Sequence, residues 1–147
     1  MEKIITICSS AAFFRECIAI SVQLEKKGFT ILLPETAQKM HAANDFDVSH
    51  YKTWQTSKQD FPKKALLIQH HFDKIVEGDA ILVVNNIKHD IKGYIGGNTL
   101  MEMGLAFHLK KPIYILNSVP ESAPNFEEIM GILPIFLNGD LDKIIFE

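Results

Sequence analysis

The sequence has few cysteines and no long apolar run, and both shortages exclude whole classes of protein. Cys8 and Cys17 are too few and too irregularly spaced for a disulfide framework or a zinc knuckle. They are typical instead of reduced, buried thiols in a cytoplasmic protein. The longest wholly apolar runs, residues 80–84 and 113–116, are far shorter than the ~20 residues that cross a bilayer, so no membrane-spanning segment is predicted.

Basic charge is also scarce, since 15 lysine and arginine residues face 18 aspartate and glutamate residues, for a formal net charge of −3. Such a chain lacks the basic field that binds DNA or RNA, so a nucleic-acid polymer is not an expected partner. The composition, 47% hydrophobic and 22% charged, is that of a globular protein. A length of 147 residues fits one domain, residues 1–147.

Strand-like and helix-like segments alternate along the chain. Short β-branched or apolar runs indicate strands, and apolar residues at helical spacing indicate helices, two of which end at glycines. The predicted strands are residues 4–8, 29–33, 80–85 and 112–116, with a last edge strand at 144–146. The predicted helices are residues 13–27, 61–77, 100–110 and 125–130.

This alternation predicts a parallel sheet, because parallel neighbours need crossover connections. The expected fold is a single-domain Rossmann-like (flavodoxin-like) α/β sandwich with helices on both faces of the sheet. In such sheets, ligands bind beyond the carboxyl ends of the strands. The loops expected there are residues 9–13, 34–60, 85–99 and 117–125, and all four are rich in polar residues or glycine.

The most informative stretch is the glycine-rich loop that leads into the third of these helices. It has neither the lysine of a P-loop nor the G-x-G-x-x-G of a dinucleotide fold. Exposed amides at a helix start favour an anion or a polar sugar edge. The candidate substrate-binding residues here are Gly96, Gly97, Asn98 and Thr99.

Glu102 has two interpretations. Thr99-x-x-Glu102 matches a capping box, in which the glutamate folds back onto the Thr99 amide in the first turn. Alternatively, the carboxylate faces the cleft and does chemistry, and a position near a helix N-terminus should then keep it ionised.

The chain resembles the nucleoside 2-deoxyribosyltransferase superfamily, which includes deoxynucleoside 5′-monophosphate N-glycosidases. The features that carry the resemblance are the apolar strand and glycine loop, Met-Glu-Met-Gly-Leu-Ala at residues 101–106 and Lys-Pro-Ile at 111–113. The resemblance implies that Glu102 attacks C1′ of a 2-deoxyribosyl group, and that water or another base accepts the sugar. It also implies a small-molecule nucleoside or nucleotide as substrate, and a homo-oligomer, a dimer or larger. No cofactor is expected.

Relatives that transfer bases carry further acids, which this chain replaces. Residues 96–99 contain no acidic residue. The helix before them has His71, with Asp73 nearby, where those relatives carry an acid, so His71 and Asp73 are the further catalytic candidates. The alternative function is a nucleotide-binding sensor or regulatory module without turnover. Residues 96–102 are also similar to the Gly-Gly-x-Gly-Thr-x-x-Glu motif of the Lonely-guy phosphoribohydrolases.

Four more residues are candidate substrate contacts, each beside a structural alternative. Ser9 and Ser10 follow the first strand and either bind phosphate or cap the next helix. Phe13 stacks on a base or lies in the core. Trp54, in the long 34–60 connection, belongs to a lid over a nucleobase or to a small docked helix.

No metal site is predicted. The chemically suitable residues lack any recognised ligand spacing. The groups considered are His41, His50, Asp45, Asp47 and the pair His70 and His71.

Overall fold

A computed structural model describes residues 2–146. Its centre is a sheet of five strands, all parallel, in the order β2-β1-β3-β4-β5. The predicted parallel sheet is therefore confirmed, and its order is that of the flavodoxin-like doubly wound fold. The strands are β1 (Ile4–Ser9), β2 (Thr30–Leu32), β3 (Ala80–Val84), β4 (Ile113–Ile115) and β5 (Ile135–Phe136).

Helices cover both faces of the sheet, and glycines end two of them as predicted. Gly28 follows the first helix with φ +96, a left-handed conformation that other residues rarely adopt. Gly78 follows the third. The helices are α1 (Phe14–Lys26), α2 (Glu35–Ala43), α3 (Phe61–Glu77), α4 (Gly97–His108) and α5 (Phe126–Gly131).

The core has two halves because side chains alternate across each strand. From β1, Ile5 and Ile7 point to the half that contains α1 and α2, while Cys8 points to the half that contains α3 and α4. β3 is buried along its whole length and supplies both halves. A continuous apolar run in the sequence is the signature of such a central parallel strand.

β1 lies between β2 and β3, so the connections that leave β1 and β3 diverge to opposite faces of the sheet. This is the topological switch point, where open α/β sheets form a crevice beyond the strand ends. The loop after β1, the start of α4 and the 34–60 connection meet there.

Two predictions about secondary structure are wrong, namely the strand at residues 144–146 and the first residue of α4. Residues 144–146 form no strand, because β5 occupies the edge beside β4 and the segment packs by its side chains instead. The ring of Phe146 lies 5.9 Å from Phe29 and 6.3 Å from Tyr114. α4 begins at Gly97, three residues before the predicted start at Leu100.

The 34–60 connection is α2 followed by three single turns of 3-10 helix, at residues 48–50, 53–55 and 58–60. Phe46, Val48 and Tyr51 pack against the core half that contains α1 and α2. The docked-helix interpretation is thus correct for part of this segment. Among residues 2–146, no helix is both long and apolar enough to cross a membrane.

Gly93 and Gly104 provide a paired test of backbone geometry. Gly93 has φ +62, and a Cβ there would lie 2.3 Å from the carbonyl oxygen of Ser118, whereas a Cβ at Gly104 meets nothing within 4 Å. Gly93→Ala should destabilise the fold by roughly 1–3 kcal/mol, through strain and collision with backbone. Gly104→Ala should stabilise it by up to about 1 kcal/mol, because α4 gains a better helix former. Thermal unfolding measures both, and a Gly93→Ala protein as stable as the parent would contradict the loop geometry.

Candidate functional site

A cavity of about 290 Å³ opens beyond the carboxyl ends of β1 and β3. Its walls come from the end of β1 and the residues that follow it, the 34–60 connection, one face of α3, the loop after β3 and the start of α4. Most of the predicted substrate-binding residues line it, namely Ser9, Ser10, Trp54, Gly96, Gly97, Asn98 and Thr99. The catalytic candidates Glu102 and His71 line it as well.

Glu102 is not part of a capping box. The residue that precedes α4 is Gly96, so Thr99 is already the third residue of the helix and Glu102 lies in the second turn rather than the first. Glu102 is 3% exposed and lines the cavity, with Oε2 3.5 Å from Nε2 of His71. Of the two interpretations, the structure therefore contradicts the cap.

Burial sets the charge of this pair. It raises the pKa of Glu102 to about 8, opposed in part by the Lys64 ammonium. The expectation that Glu102 stays ionised is therefore wrong, since a carboxyl so deep loses more from desolvation than the helix dipole returns. Burial, followed by repulsion from Lys74, lowers the pKa of His71 to about 4. At neutral pH the pair consists of a protonated carboxyl and a neutral imidazole.

Cys8 is the third member of this cluster. Its Sγ lies 3.6 Å from Nε2 of His71, and one donor atom each from Cys8, His71 and Glu102 fall within 4.8 Å of one another. Burial raises the pKa of the Cys8 thiol well above its usual range. The sequence did not reveal this group, because its members come from β1, α3 and α4 and lie far apart in the chain.

Of the residues considered for a metal in the sequence, His71 belongs to this cluster, whereas His50 with its aspartates and His70 lie elsewhere. His50 pairs with Asp45 at 2.7 Å and Asp47 at 3.4 Å, outside the cavity wall, and its side chain is 60% exposed. His70 pairs with Glu35 at 3.3 Å.

Three lysines line the cavity, and sequence analysis missed all of them: Lys52, Lys64 and Lys88. Burial, with repulsion from Lys64 and Lys88, lowers the pKa of Lys52. The carboxyl groups of the wall are Glu102, which is protonated at neutral pH, and Glu35. The cavity therefore favours an anionic ligand. Helical spacing could have identified Lys64, which lies two turns before His71 on the same face of α3.

The serines after β1 lie beside these lysines. Ser10 makes no side-chain cap to the turn that follows it, so its predicted capping role is wrong. Its Oγ instead accepts a hydrogen bond from Nζ of Lys88 at 3.0 Å. Ser9 donates from Oγ to the Ser10 carbonyl oxygen at 2.9 Å. Hydroxyl and ammonium together make this corner of the cavity suited to a phosphate.

Aromatic rings form another wall. Trp54 lines the cavity with Tyr51 and Tyr94, and the Lys64 ammonium lies 5.2 Å from the centre of the Trp54 ring. Rings of this kind can stack on a nucleobase. Phe13 does not join them, because it is 4% exposed within the core, with its ring 6.4 Å from that of Tyr94.

Asp73 also lies outside the cavity, so the structure does not support its predicted catalytic role. It is exposed and accepts a hydrogen bond from Gln69 at 3.1 Å. Two positions along a helix correspond to roughly 200°, so a helix that turns His71 inward turns Asp73 outward.

Nδ1 of His71, in the cavity wall, has no hydrogen-bond partner among residues 2–146, and neither do two oxygen atoms of the wall. The two oxygens are Oδ1 of Asn98 and Oγ1 of Thr99, and Thr99 is 1% exposed. Buried polar atoms are almost always paired, so these atoms are suited to a polar ligand above Glu102.

Comparison of the chain with protein-family models and with curated proteins gives no match. The likeness to the deoxyribosyltransferases therefore stays a prediction. What the cavity binds and does follows from its own residues.

Replacement of Glu102 by glutamine should stabilise the fold at neutral pH, because an amide fills the same space without ionising. A carboxyl with a pKa of about 8 when folded and an ordinary value of 4.5 contributes most to stability below pH 4.5, and this contribution is lost as the pH rises to 8. We expect Glu102→Gln to gain up to about 3 kcal/mol at pH 7 and less than about 1 kcal/mol at pH 5. Denaturant unfolding at both pH values measures this, and a difference that does not change with pH would contradict the raised pKa.

Proposed function

We propose that this protein cleaves the N-glycosidic bond of 2′-deoxynucleoside 5′-monophosphates, with Glu102 as the nucleophile. The observation that carries the proposal is one buried carboxyl in the wall of a cavity that also holds three lysines and the rings of Tyr51, Trp54 and Tyr94. The resemblance of residues 101–106 to the deoxyribosyltransferases points to the same chemistry.

The lysines favour the monophosphate over the free nucleoside. Lys88, hydrogen-bonded to Ser10, offers an ammonium and a hydroxyl to a phosphate, and Lys52 adds a second positive charge. Trp54 and Tyr94 are suited to the base, which leaves the sugar above Glu102. The cavity, about 290 Å³, is at the lower end of the range of about 300–1,000 Å³ found for small-molecule pockets.

A 2-deoxy sugar suits a carboxylate nucleophile. Without a 2-hydroxyl group, C1′ more readily reaches an oxocarbenium-like transition state, and a carboxylate below it can form a glycosyl-enzyme ester as in retaining glycosidases. In the first step an oxygen of Glu102 bonds to C1′ while the C1′–N bond to the base breaks. The electron pair of that bond leaves with the base, which therefore requires a proton.

His71 is the group that supplies this proton. Its Nε2, 3.5 Å from the Glu102 carboxyl, takes the proton from Glu102 and releases the carboxylate for attack. The resulting imidazolium then protonates the departing base. In the second step neutral His71 accepts a proton from water, whose oxygen bonds to C1′ as the Glu102 carboxylate leaves, and the proton returns to Glu102. A second base in place of water gives base exchange.

Release of free base from a panel of deoxynucleosides and deoxynucleoside 5′-monophosphates tests the activity. We expect the monophosphates to react faster, and Glu102→Gln to lower turnover by at least about a thousandfold, or roughly 4 kcal/mol, because an amide is a poor nucleophile. Glu35→Gln is the matched control, since Glu35 also lines the cavity but pairs with His70. Absence of free base from every compound at high protein concentration would refute the proposal.

The pH profile tests the role of His71. The reaction needs one proton on the pair of Glu102 and His71. The pair holds this proton at pH values between about 4, the pKa of His71, and about 8, the pKa of Glu102. We therefore expect kcat/KM in metal-free buffer to fall below and above this pH window. In His71→Gln only ionised Glu102 can react, so the lower remaining activity should rise towards pH 8. His70→Gln, outside the cavity, is the control. A wild-type profile that rises through pH 8 would contradict proton transfer to His71.

A nucleotide-binding module without turnover is the second candidate, favoured by the protonated state of Glu102 at neutral pH. A ligand that raises the melting temperature and is recovered unchanged would support it. The homo-oligomer expected from the family resemblance also stays a prediction.

A further inference from the structure

We propose that Cys8, His71 and Glu102 form a binding site for a thiophilic divalent metal ion, with Zn²⁺ as the preferred occupant. The evidence for this metal site is independent of the proposed enzymatic function, because it consists only of the geometry and chemistry of the three side chains. The site occupies the same space as the proposed nucleophile.

The distances suit a tetrahedral ion. With bonds of about 2.3 Å to sulfur, 2.0–2.1 Å to nitrogen and 2.0–2.2 Å to oxygen, ligand atoms around zinc lie roughly 3.3–3.6 Å apart. The structure has 3.6 Å between Cys8 Sγ and His71 Nε2, and 3.5 Å between this nitrogen and Glu102 Oε2. The donor atoms of Cys8 and Glu102 lie within 4.8 Å of each other, so a small rotation of the carboxyl brings them to zinc-ligand spacing.

The donor set selects the kind of metal. One sulfur, one nitrogen and one oxygen match borderline ions such as Zn²⁺ and Co²⁺, whereas Mg²⁺ and Ca²⁺ prefer oxygen alone. The ion displaces one proton from the Cys8 thiol and one from the Glu102 carboxyl, and both protons go to solvent. The thiolate and the carboxylate then neutralise the two positive charges of the metal ion. This neutralisation is required because the three residues are only 0–6% exposed. Neutral His71 binds without losing a proton.

Three packed elements hold the ligands in place. Cys8 comes from β1, His71 from α3 and Glu102 from α4, so their spacing does not depend on a flexible loop. His71 and Glu102 line the cavity, through which an ion can enter. Asn98 and Thr99 line the same cavity, and their unpaired oxygens are suited to accept hydrogen bonds from a water in the fourth coordination position.

Occupation by metal has a definite consequence. The ion takes the Glu102 oxygen and the His71 nitrogen that the proposed reaction uses, so Zn²⁺ and catalysis exclude each other. Zinc is therefore an inhibitor of the proposed reaction rather than a cofactor for it.

Titration of the intact, metal-free chain with Co²⁺ alone tests the site. Wild type should bind one equivalent, with a thiolate-to-cobalt charge-transfer band and the strong visible bands of tetrahedral cobalt, and one equivalent of Zn²⁺ should abolish both. Cys8→Ala should lose the charge-transfer band. Cys17→Ala is the matched control and should keep it, because Cys17 is equally buried but contacts Ser9 instead of the cluster. His71→Gln, the second ligand variant, should lose the tetrahedral bands.

Absence of the charge-transfer band in wild type, or its persistence in Cys8→Ala, would overturn the proposal. Melting curves without metal establish that each variant is folded, and His71→Gln decides the outcome if Cys8→Ala does not fold. Base release with and without Zn²⁺ separates the two proposals. Cobalt bands without base release would support the metal site and refute the proposed enzymatic function. Base release without cobalt bands would support the enzymatic function and refute the metal site.

Discussion

Burial of the Glu102 carboxyl is the constraint on which the site depends. Water reaches only 3% of this residue, so the protonated acid is favoured up to a pH of about 8. The side chain that lies next to the protonated Glu102 carboxyl is the neutral imidazole of His71, not a cation. Burial of a carboxyl at this depth therefore lowers the stability of the fold at neutral pH.

The position of His71 depends on how α3 is anchored. Lys111 donates from Nζ to the carbonyl oxygens of Ile75 at 2.8 Å and Gly78 at 2.6 Å, and so satisfies groups at the helix end that otherwise lack partners. Lys74 donates to the Leu33 carbonyl at 2.6 Å and links α3 to the end of β2. These contacts fix the rotation of the helix, and the rotation decides that His71 faces the cavity while Asp73 faces solvent.

Local patterns predicted the fold well and the site only in part. The bounds of α3 were correct because periodicity and the terminal glycine are both local signals. Thr99-x-x-Glu102 failed as a capping box because the same letters occur inside a helix, and only the position of Gly96 decides where α4 begins. The raised pKa of Glu102, the lysine-lined wall and the contact with Cys8 all arise from burial and from elements far apart in the chain. Apart from Lys64, which helical spacing places on the same face of α3 as His71, no spacing in the sequence encodes them.

The cluster of Cys8, His71 and Glu102 can satisfy its buried atoms in two ways. One proton shared between Glu102 and His71 leaves the site uncharged and ready for proton transfer. One divalent ion, with loss of the thiol and carboxyl protons, also leaves it uncharged but closed to chemistry. Because desolvation penalises every other charge state, these two are the states that the burial permits. The same low exposure that suits Glu102 to the proposed reaction with a sugar therefore also suits it to the proposed thiophilic metal ion.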